Sequence, residues 1–307
     1  MKRFLIKLSL IIVPFILLLF VLNFAYLNSY YWLEQRDEAK FRNVPENIQL
    51  ANLGSSHGFY TFIYNDFPEY VTFNFGMKAQ HHVFNYYVLK QYLNNFSQNS
   101  VVLIPISYFD VTRIMKEYHR RYYTFLDKEN LPGWKKTEYI LYNYFPLFTV
   151  GKAYKRLLIM NKKEIAPDFL SRTREDFVSH SEFLFNWWTA KDSEEKGEEG
   201  FQYNIEAVSK IIDLCYEHKI IPVLVTTPQA DVLNDLYAQI DFFDTFYRFT
   251  DTLKEKYPGL VYLDYSQKPE YSSDYSLFLD ATHLNKKGAK KFTAQIINDL
   301  KSEGLLY

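Results

Sequence analysis

Val101–Ile106 (VVLIPI) has no polar side chain. A strand with one wet face alternates apolar and polar residues, so an unbroken apolar run needs cover on both faces. Four other short runs read as strands: Ile48–Leu53 (IQLANL), Val71–Phe75 (VTFNF), Ile220–Thr226 (IIPVLVT) and Leu260–Asp264 (LVYLD). Between and after them the apolar period changes from strand-like to helical. Gln80–Phe96 places Val83, Phe84, Tyr87, Val88 and Tyr92 on one face. Phe201–His218 does the same with Ile205, Val208, Ile211, Ile212 and Cys215. Phe242–Tyr257 and Lys286–Glu303 follow, the last with Ala289, Phe292, Ile296 and Leu300 facing in and Gly304 as a C-terminal cap. Strands alternating with helices predict an α/β fold, a doubly wound five-stranded parallel sheet. Ligand sites in such sheets lie beyond the carboxyl ends of the strands. Gly54–His57, Gly76, Ser107–Tyr108 and Thr226–Gln229 are therefore expected on one rim.

A different segment sets the compartment. Lys2, Arg3 and Lys7 precede Leu8–Leu27, which carries no charge. Twenty residues at ~1.5 Å each cover roughly 30 Å, the depth of a bilayer core. The run is longer than a cleavable leader and has no clear cleavage site, so residues 1–30 read as a cytoplasmic leader and uncleaved signal anchor. Pro14 is tolerable in a membrane helix. Tyr26, Tyr30, Tyr31 and Trp32 suit the far interface. Arg36, Lys40 and Arg42 balance the basic leader, yet a short basic leader before a first span favours the N-terminus inside. The chain is then single-pass in the cell membrane. Its body, residues 48–307 after a juxtamembrane stalk at 31–47, is extracytoplasmic.

Residues 109–200 interrupt the alternation as a helical insertion broken at Pro132, Pro146 and Pro167 and ending in the charge run KDSEEKGEEG (Lys191–Gly200). It suits a lid over the active rim, and equally an appendage packed on the stalk or a partner. Within it, Trp187 and Trp188 suit core packing, sugar stacking or a membrane interface. The net charge of −1 argues against nucleic acid as a partner. The 27 Tyr and 27 Phe suit core packing first and sugar stacking second. Cys215 is the only cysteine, which leaves no intramolecular disulfide and no cysteine zinc site.

The chemistry concentrates in two tetrapeptides, GSSH (Gly54–His57) and DATH (Asp280–His283). A serine hydroxyl needs a base before it attacks. Ser56 at a sharp strand-to-helix turn would stand above the sheet, and Ser55 is the competing nucleophile. Both also suit ordinary helix capping. Asp280 and His283, three residues apart, can meet, so that the carboxylate orients the imidazole. A turn residue and a surface cap would use the same two side chains. A metal site would join His57, His81, His82, Asp280 and His283, but no pair of them has the i, i+4 spacing of helical zinc sites. No metal and no other cofactor is expected.

GSSH after the first strand, Gly76 after the second and DxxH before the last helix resemble the SGNH (GDSL-type) hydrolase superfamily. The membrane-anchored layout resembles its branch associated with membrane-bound O-acyltransferases, including teichoic-acid D-alanyl transfer and exopolysaccharide O-acetylation proteins. The resemblance covers about residues 48–303 without the insertion. It implies a flavodoxin-like strand order, Ser56 as nucleophile, His283 as base and Asp280 as its partner. It also implies oxyanion donation by the N–H groups of Ser56 and Gly76. The family's third block supplies an Asn after strand three. This chain has Ile106–Asp110 (ISYFD) there, which leaves Ser107, or Tyr108, as the substitute donor. His57, Tyr108 and Thr227 would line the substrate site. The implied activity is serine-dependent acyl transfer, O-acetyl above all, to or from a surface polysaccharide or teichoic acid, beside a multi-pass membrane O-acyltransferase. A cell-wall esterase and a catalytically silent scaffold are the alternatives.

Overall fold

The computed structural model describes residues 2–114, 119–149, 151, 153–162, 173–190 and 197–307. Its helices and strands run α1 (Lys2–Leu27), β1 (Ile48–Asn52), α2 (Ser56–Thr61), β2 (Thr72–Asn74), α3 (His82–Gln91), β3 (Phe96–Pro105), α4 (Lys136–Tyr144), α5 (Ala153–Ile159), α6 (Arg174–Ala190), α7 (Glu198–Glu217), β4 (Ile221–Thr226), α8 (Asp231–Tyr237), α9 (Phe242–Lys256), β5 (Val261–Asp264), α10 (Pro269–Ser272), β6 (Phe278–Asp280), β7 (His283–Leu284) and α11 (Lys286–Ser302). They separate into two units, one from residues 1–43 and 118–166, the other from 44–117 and 167–307. The expected insertion 109–200 is thus divided between the two. Its Pro167 and the charged stretch 191–196 lie outside the described residues, as do the side chains of Trp187 and Trp188.

The larger unit is α/β. Its sheet has five strands, all parallel, in the order β2-β1-β3-β4-β5. Val101–Pro105, all but the last residue of VVLIPI, lies in the middle strand β3. Val101, Val102, Leu103 and Ile104 are all fully buried, so both faces of the sheet are covered. Each such side chain contributes about 1.5–3 kcal/mol by leaving water. β1 and β4 flank it with Leu50, Ala51, Val223, Leu224 and Val225, equally buried. The apolar faces of α7, α9 and α11 close the core with Ile211, Phe249 and Phe292. Gly304 takes φ +68°, the left-handed cap expected there.

Two boundaries differ most from expectation. The helix read over Gln80–Phe96 stops at Gln91, and β3 begins at Phe96. A short 3-10 turn, Leu93–Asn95, separates them, and the Asn95 amide ties it to the Pro45 carbonyl at 2.9 Å. β3 also carries an irregularity against β1 between Ile48 and Leu50, with Asn99 at φ +60°. The hairpin β6–β7, antiparallel and separate from the main sheet, has no clear signal in the sequence.

The smaller unit holds α1, 26 residues long, the one helix among those described that is long and apolar enough to cross a membrane. Residues 31–43 fold within this unit. Trp32 and Phe41 are buried, Arg36 lies 3.4 Å over the Trp32 ring and pairs with Glu38 at 3.0 Å, and Phe41 stacks on Phe125 at 3.9 Å.

Candidate active site

β1 delivers the chain to a tight turn. Gly54 has φ +116°, and a Cβ there would lie 2.9 Å from the Pro105 side chain. Only glycine accepts both the backbone and the approach. α2 then starts at Ser56, with Ser55 in the capping position but making no side-chain cap. The first N–H groups of α2 have no acceptor within the helix. One turn on, a Cβ at Gly58 would fall 2.2 Å from the Leu53 carbonyl oxygen. The return of α2 over the end of β1 is that close.

Polar side chains hold this turn. Asn52 Nδ2 donates to the carbonyls of Leu53 (2.9 Å) and Gly58 (3.1 Å) and to Asn74 Oδ1 (3.0 Å). Tyr64 donates its hydroxyl proton to Asn52 Oδ1 at 3.1 Å. Asn74 Nδ2 donates to the carbonyls of Gly58, Phe59 and Phe62. Asn85 Oδ1 accepts from the Gly54 N–H (3.0 Å) and from Gln80 (2.6 Å). Sequence reasoning missed this brace. Its only signal was asparagine inside otherwise apolar strands.

The hairpin β6–β7 brings the partners. Asp280 Oδ1 accepts the N–H groups of Thr282 and His283, both at 2.9 Å, and the Thr282 hydroxyl at 3.1 Å. Its two oxygens lie 2.9 and 3.0 Å from His283 Nδ1. Burial pushes the Asp280 pKa up. The hydrogen bond and charge of His283 and the Thr282 N–H outweigh it and hold the carboxyl well below the usual range. A carboxylate only accepts, so Nδ1 carries the proton and Nε2 is left as an acceptor. His283 Nε2 is 2.8 Å from Ser56 Oγ, a residue 227 positions away in sequence. Ser55 Oγ is instead 3.5 Å from His57 Nδ1. Between the two serines, the geometry joins Ser56 to the imidazole.

Aromatic rings pack round His283. His57 stacks on it at 4.7 Å and Tyr60 meets it edge-on at 5.5 Å. Burial, then the neighbouring His283, push the His57 pKa down to about 3, so its ring is neutral. His180 of α6, absent from the sequence reading, accepts the Ala281 N–H at Nδ1 (3.2 Å) and helps to lower Asp280.

The remaining expected residues are placed differently. Gly76 packs within the turn, where a Cβ would be 2.7 Å from Phe59 N, but its N–H donates to Asn74 Oδ1 at 2.9 Å. Ser107 gives its N–H (3.1 Å) and its hydroxyl proton (2.6 Å) to Asp110 Oδ2, closing a capping box. Two of the three donors expected to meet an oxyanion, those of Gly76 and Ser107, are therefore engaged elsewhere. Tyr108, expected to line the substrate site, lies inside the core. It is buried among Tyr237, Phe242 and Phe246, with its hydroxyl donating to Asn234 Oδ1 at 2.9 Å. The polar end of this ring found a partner inside the core, so burial cost nothing in lost hydrogen bonding. Thr227 is buried and its carbonyl accepts from Gln229 at 3.1 Å. A cavity of about 540 Å³, lined by Val111, Thr112, Phe242, Thr245 and Arg248 among others, includes no member of the Ser56–His283–Asp280 chain. Among the described residues no group of three or more His, Cys, Asp or Glu is placed to hold a metal ion. No protein-family model matches this chain, and no curated protein matches it.

Proposed function

We propose that this protein is an SGNH-like serine enzyme that moves an acyl group, O-acetyl above all, to or from a surface polysaccharide or teichoic acid. The hydrogen-bonded chain Ser56–His283–Asp280 carries the reading. Its position supports it too: Ser56 follows β1, beside the reversal of strand order between β1 and β3, where ligands bind in sheets of flavodoxin-like, doubly wound order. Ser56 Oγ attacks the acyl carbonyl as its proton passes to His283 Nε2. Asp280 stabilises the imidazolium. The Ser56 N–H, with Gly76 N–H once it leaves Asn74, meets the oxyanion. The tetrahedral intermediate collapses, and the leaving alcohol takes the proton from His283. A sugar hydroxyl or water then attacks acyl-Ser56, giving its proton to His283, and the free serine returns. With α1 as a single-pass anchor and the N-terminus inside, the site faces surface polymers, beside a multi-pass membrane O-acyltransferase.

The test is Ser56→Ala beside Ser55→Ala, with acyl content of the surface polymer as the readout. Loss of Ser56 should lower the rate on the order of 10⁴-fold, and Ser55→Ala should be mild. Intact acylation in Ser56→Ala sinks the reading. One observation favours a second reading, a silent scaffold that binds polymer or the membrane acyltransferase: Gly76 and Ser107 both spend their donors inside the fold. Covalent labelling of Ser56 by a fluorophosphonate would exclude the scaffold.

A further inference from the structure

Outside α1, several of the most exposed large apolar side chains fall within residues 144–158. Leu158 is 74% exposed, Tyr154 62%, Tyr144 56% and Phe148 49%. All belong to the smaller unit, in which Leu147, Tyr142 and Ala153 pack with Leu22, Tyr26 and Leu27 of α1. Asn23, buried late in that helix, donates to the Tyr144 carbonyl at 2.7 Å and accepts the Leu147 N–H at 3.3 Å. The Phe145 ring meets Phe20 edge-on at 5.7 Å. Tyr26, Trp32 and Leu147 form one buried cluster, with Leu157 and Met160 packed on it.

These contacts set a depth. Asn23 and Phe20 stand four and seven residues before Leu27, about 6 and 10 Å back along the helix at ~1.5 Å per residue. In a bilayer crossed by α1, the turn at Phe145–Phe148 therefore lies at the level of the acyl chains. Backbone at that depth is tolerated where its polar groups are bonded, and Asn23 bonds one carbonyl and one N–H of this turn. The charges follow the same plan. Residues 151–163 contain five Lys or Arg and no acidic residue. Lys155 and Lys162 are exposed, and Arg156 lies 4.3 Å over the Tyr31 ring.

We infer that residues 140–149 and 153–162 make a second membrane contact, a helical fold-back seated in the bilayer that α1 crosses. Phe148, Tyr154 and Leu158 enter the acyl boundary, while Lys155 and Lys162 meet anionic lipid headgroups. The occupant is lipid because exposed Phe148 packs on Phe145, which meets Phe20 on the exposed face of α1, and because the charge of residues 151–163 is of one sign. This rests on α1 being a membrane span.

The test uses the full chain in vesicles of phosphatidylcholine and phosphatidylglycerol. Cys215 is fully buried, so single cysteines elsewhere take a fluorophore selectively. Phe148→Cys and Leu158→Cys each receive an environment-sensitive nitrobenzoxadiazole, and Val13→Cys in α1 serves as the reference. Nitroxide-bearing lipids should quench all three labels, with blue-shifted emission at 148 and 158. If Val13 is quenched while both 148 and 158 emit as in water, the fold-back is overturned and the anchor stands. If Val13 is not quenched, both fall. A protein partner covering this face would leave 148 and 158 unquenched in pure lipid and so counts against the inference.

Discussion

Asp280 makes more hydrogen bonds than its role as an orienting carboxylate requires. Two backbone N–H groups and the Thr282 hydroxyl fix one oxygen, so the imidazole is aligned before any substrate arrives. Asp280→Asn tests what the charge does, because the amide keeps the shape. An amide N–H facing Nδ1 would favour the wrong tautomer and leave no base at Nε2. Acyl transfer should fall on the order of 10⁴-fold, and the thermal midpoint at neutral pH should fall too, because the lowered Asp280 pKa contributes to stability. A rate within a few-fold of the parent would show that His283 is not the base. At this scale the sequence was legible where identity alone carried meaning. Ser56, Asp280 and His283 stood out by type and chain order, and the structure brings them together. The partners of Tyr108 and Ser107 were not legible, because chain position says which rim a residue is near but not where its side chain points. Each turned to a polar partner within the fold, Asn234 and Asp110, and burial of a hydroxyl demands such a partner.

The strand-to-helix turn is set by glycines at the element scale, and they are not equivalent. Gly58 has an ordinary φ, so alanine there adds no backbone strain, but the new Cβ would fall 2.2 Å from the Leu53 oxygen and 3.2 Å from Asn52 Nδ2. A main-chain oxygen cannot step aside as a side chain does. Gly58→Ala should therefore push α2 off β1, costing about 1–3 kcal/mol as an overpacked site, and move Ser56 away from His283. Gly151→Ala, with nothing within 4 Å, is the control. Thermal unfolding should separate the two variants, and equal midpoints would refute the close approach. The long helices were legible in the sequence because α7, α9 and α11 carry sustained apolar stripes. β6 and β7 were not, since three and two residues cannot show a period. The start of β3 was hidden for another reason. Phe96 completes the apolar spacing of the preceding helix, and only the Asn95 bond to Pro45 shows that the chain has already turned.

For the whole molecule, buried histidines set the response to acid. His57 is held near pKa 3, and His81 and His82 near 4, against a usual 6.5, chiefly by burial. Asp110 lies 3.8 Å from His82 Nε2, but its own carboxyl is pushed up by burial despite the hydrogen bonds from Ser107. The folded chain keeps these three rings neutral, while the unfolded chain protonates them below about 6.5. The unfolded state then binds more protons, so stability falls as pH drops from about 6.5 towards 3–4. Asp280 has the opposite history but the same consequence. Its lowered pKa stabilises the fold above the ordinary carboxylate range, and that share is lost only at still lower pH. The urea midpoint should thus decline already between pH 7 and 5, before carboxylates titrate, by an amount corresponding to roughly a few kcal/mol. Replacing His82 with Phe should flatten this limb, since a ring that never titrates has nothing to lose. A midpoint constant from pH 7 to 5 in the parent would mean that the rings accept protons within the fold. The histidines were visible in the sequence as HH beside Gly76. Their burial was not, because it depends on α3 packing against α7, a meeting of segments more than a hundred residues apart. The same distance hid the division of residues 109–200: no local pattern tells which part joins α1 and which part, with α6 and His180, joins the Asp280 loop.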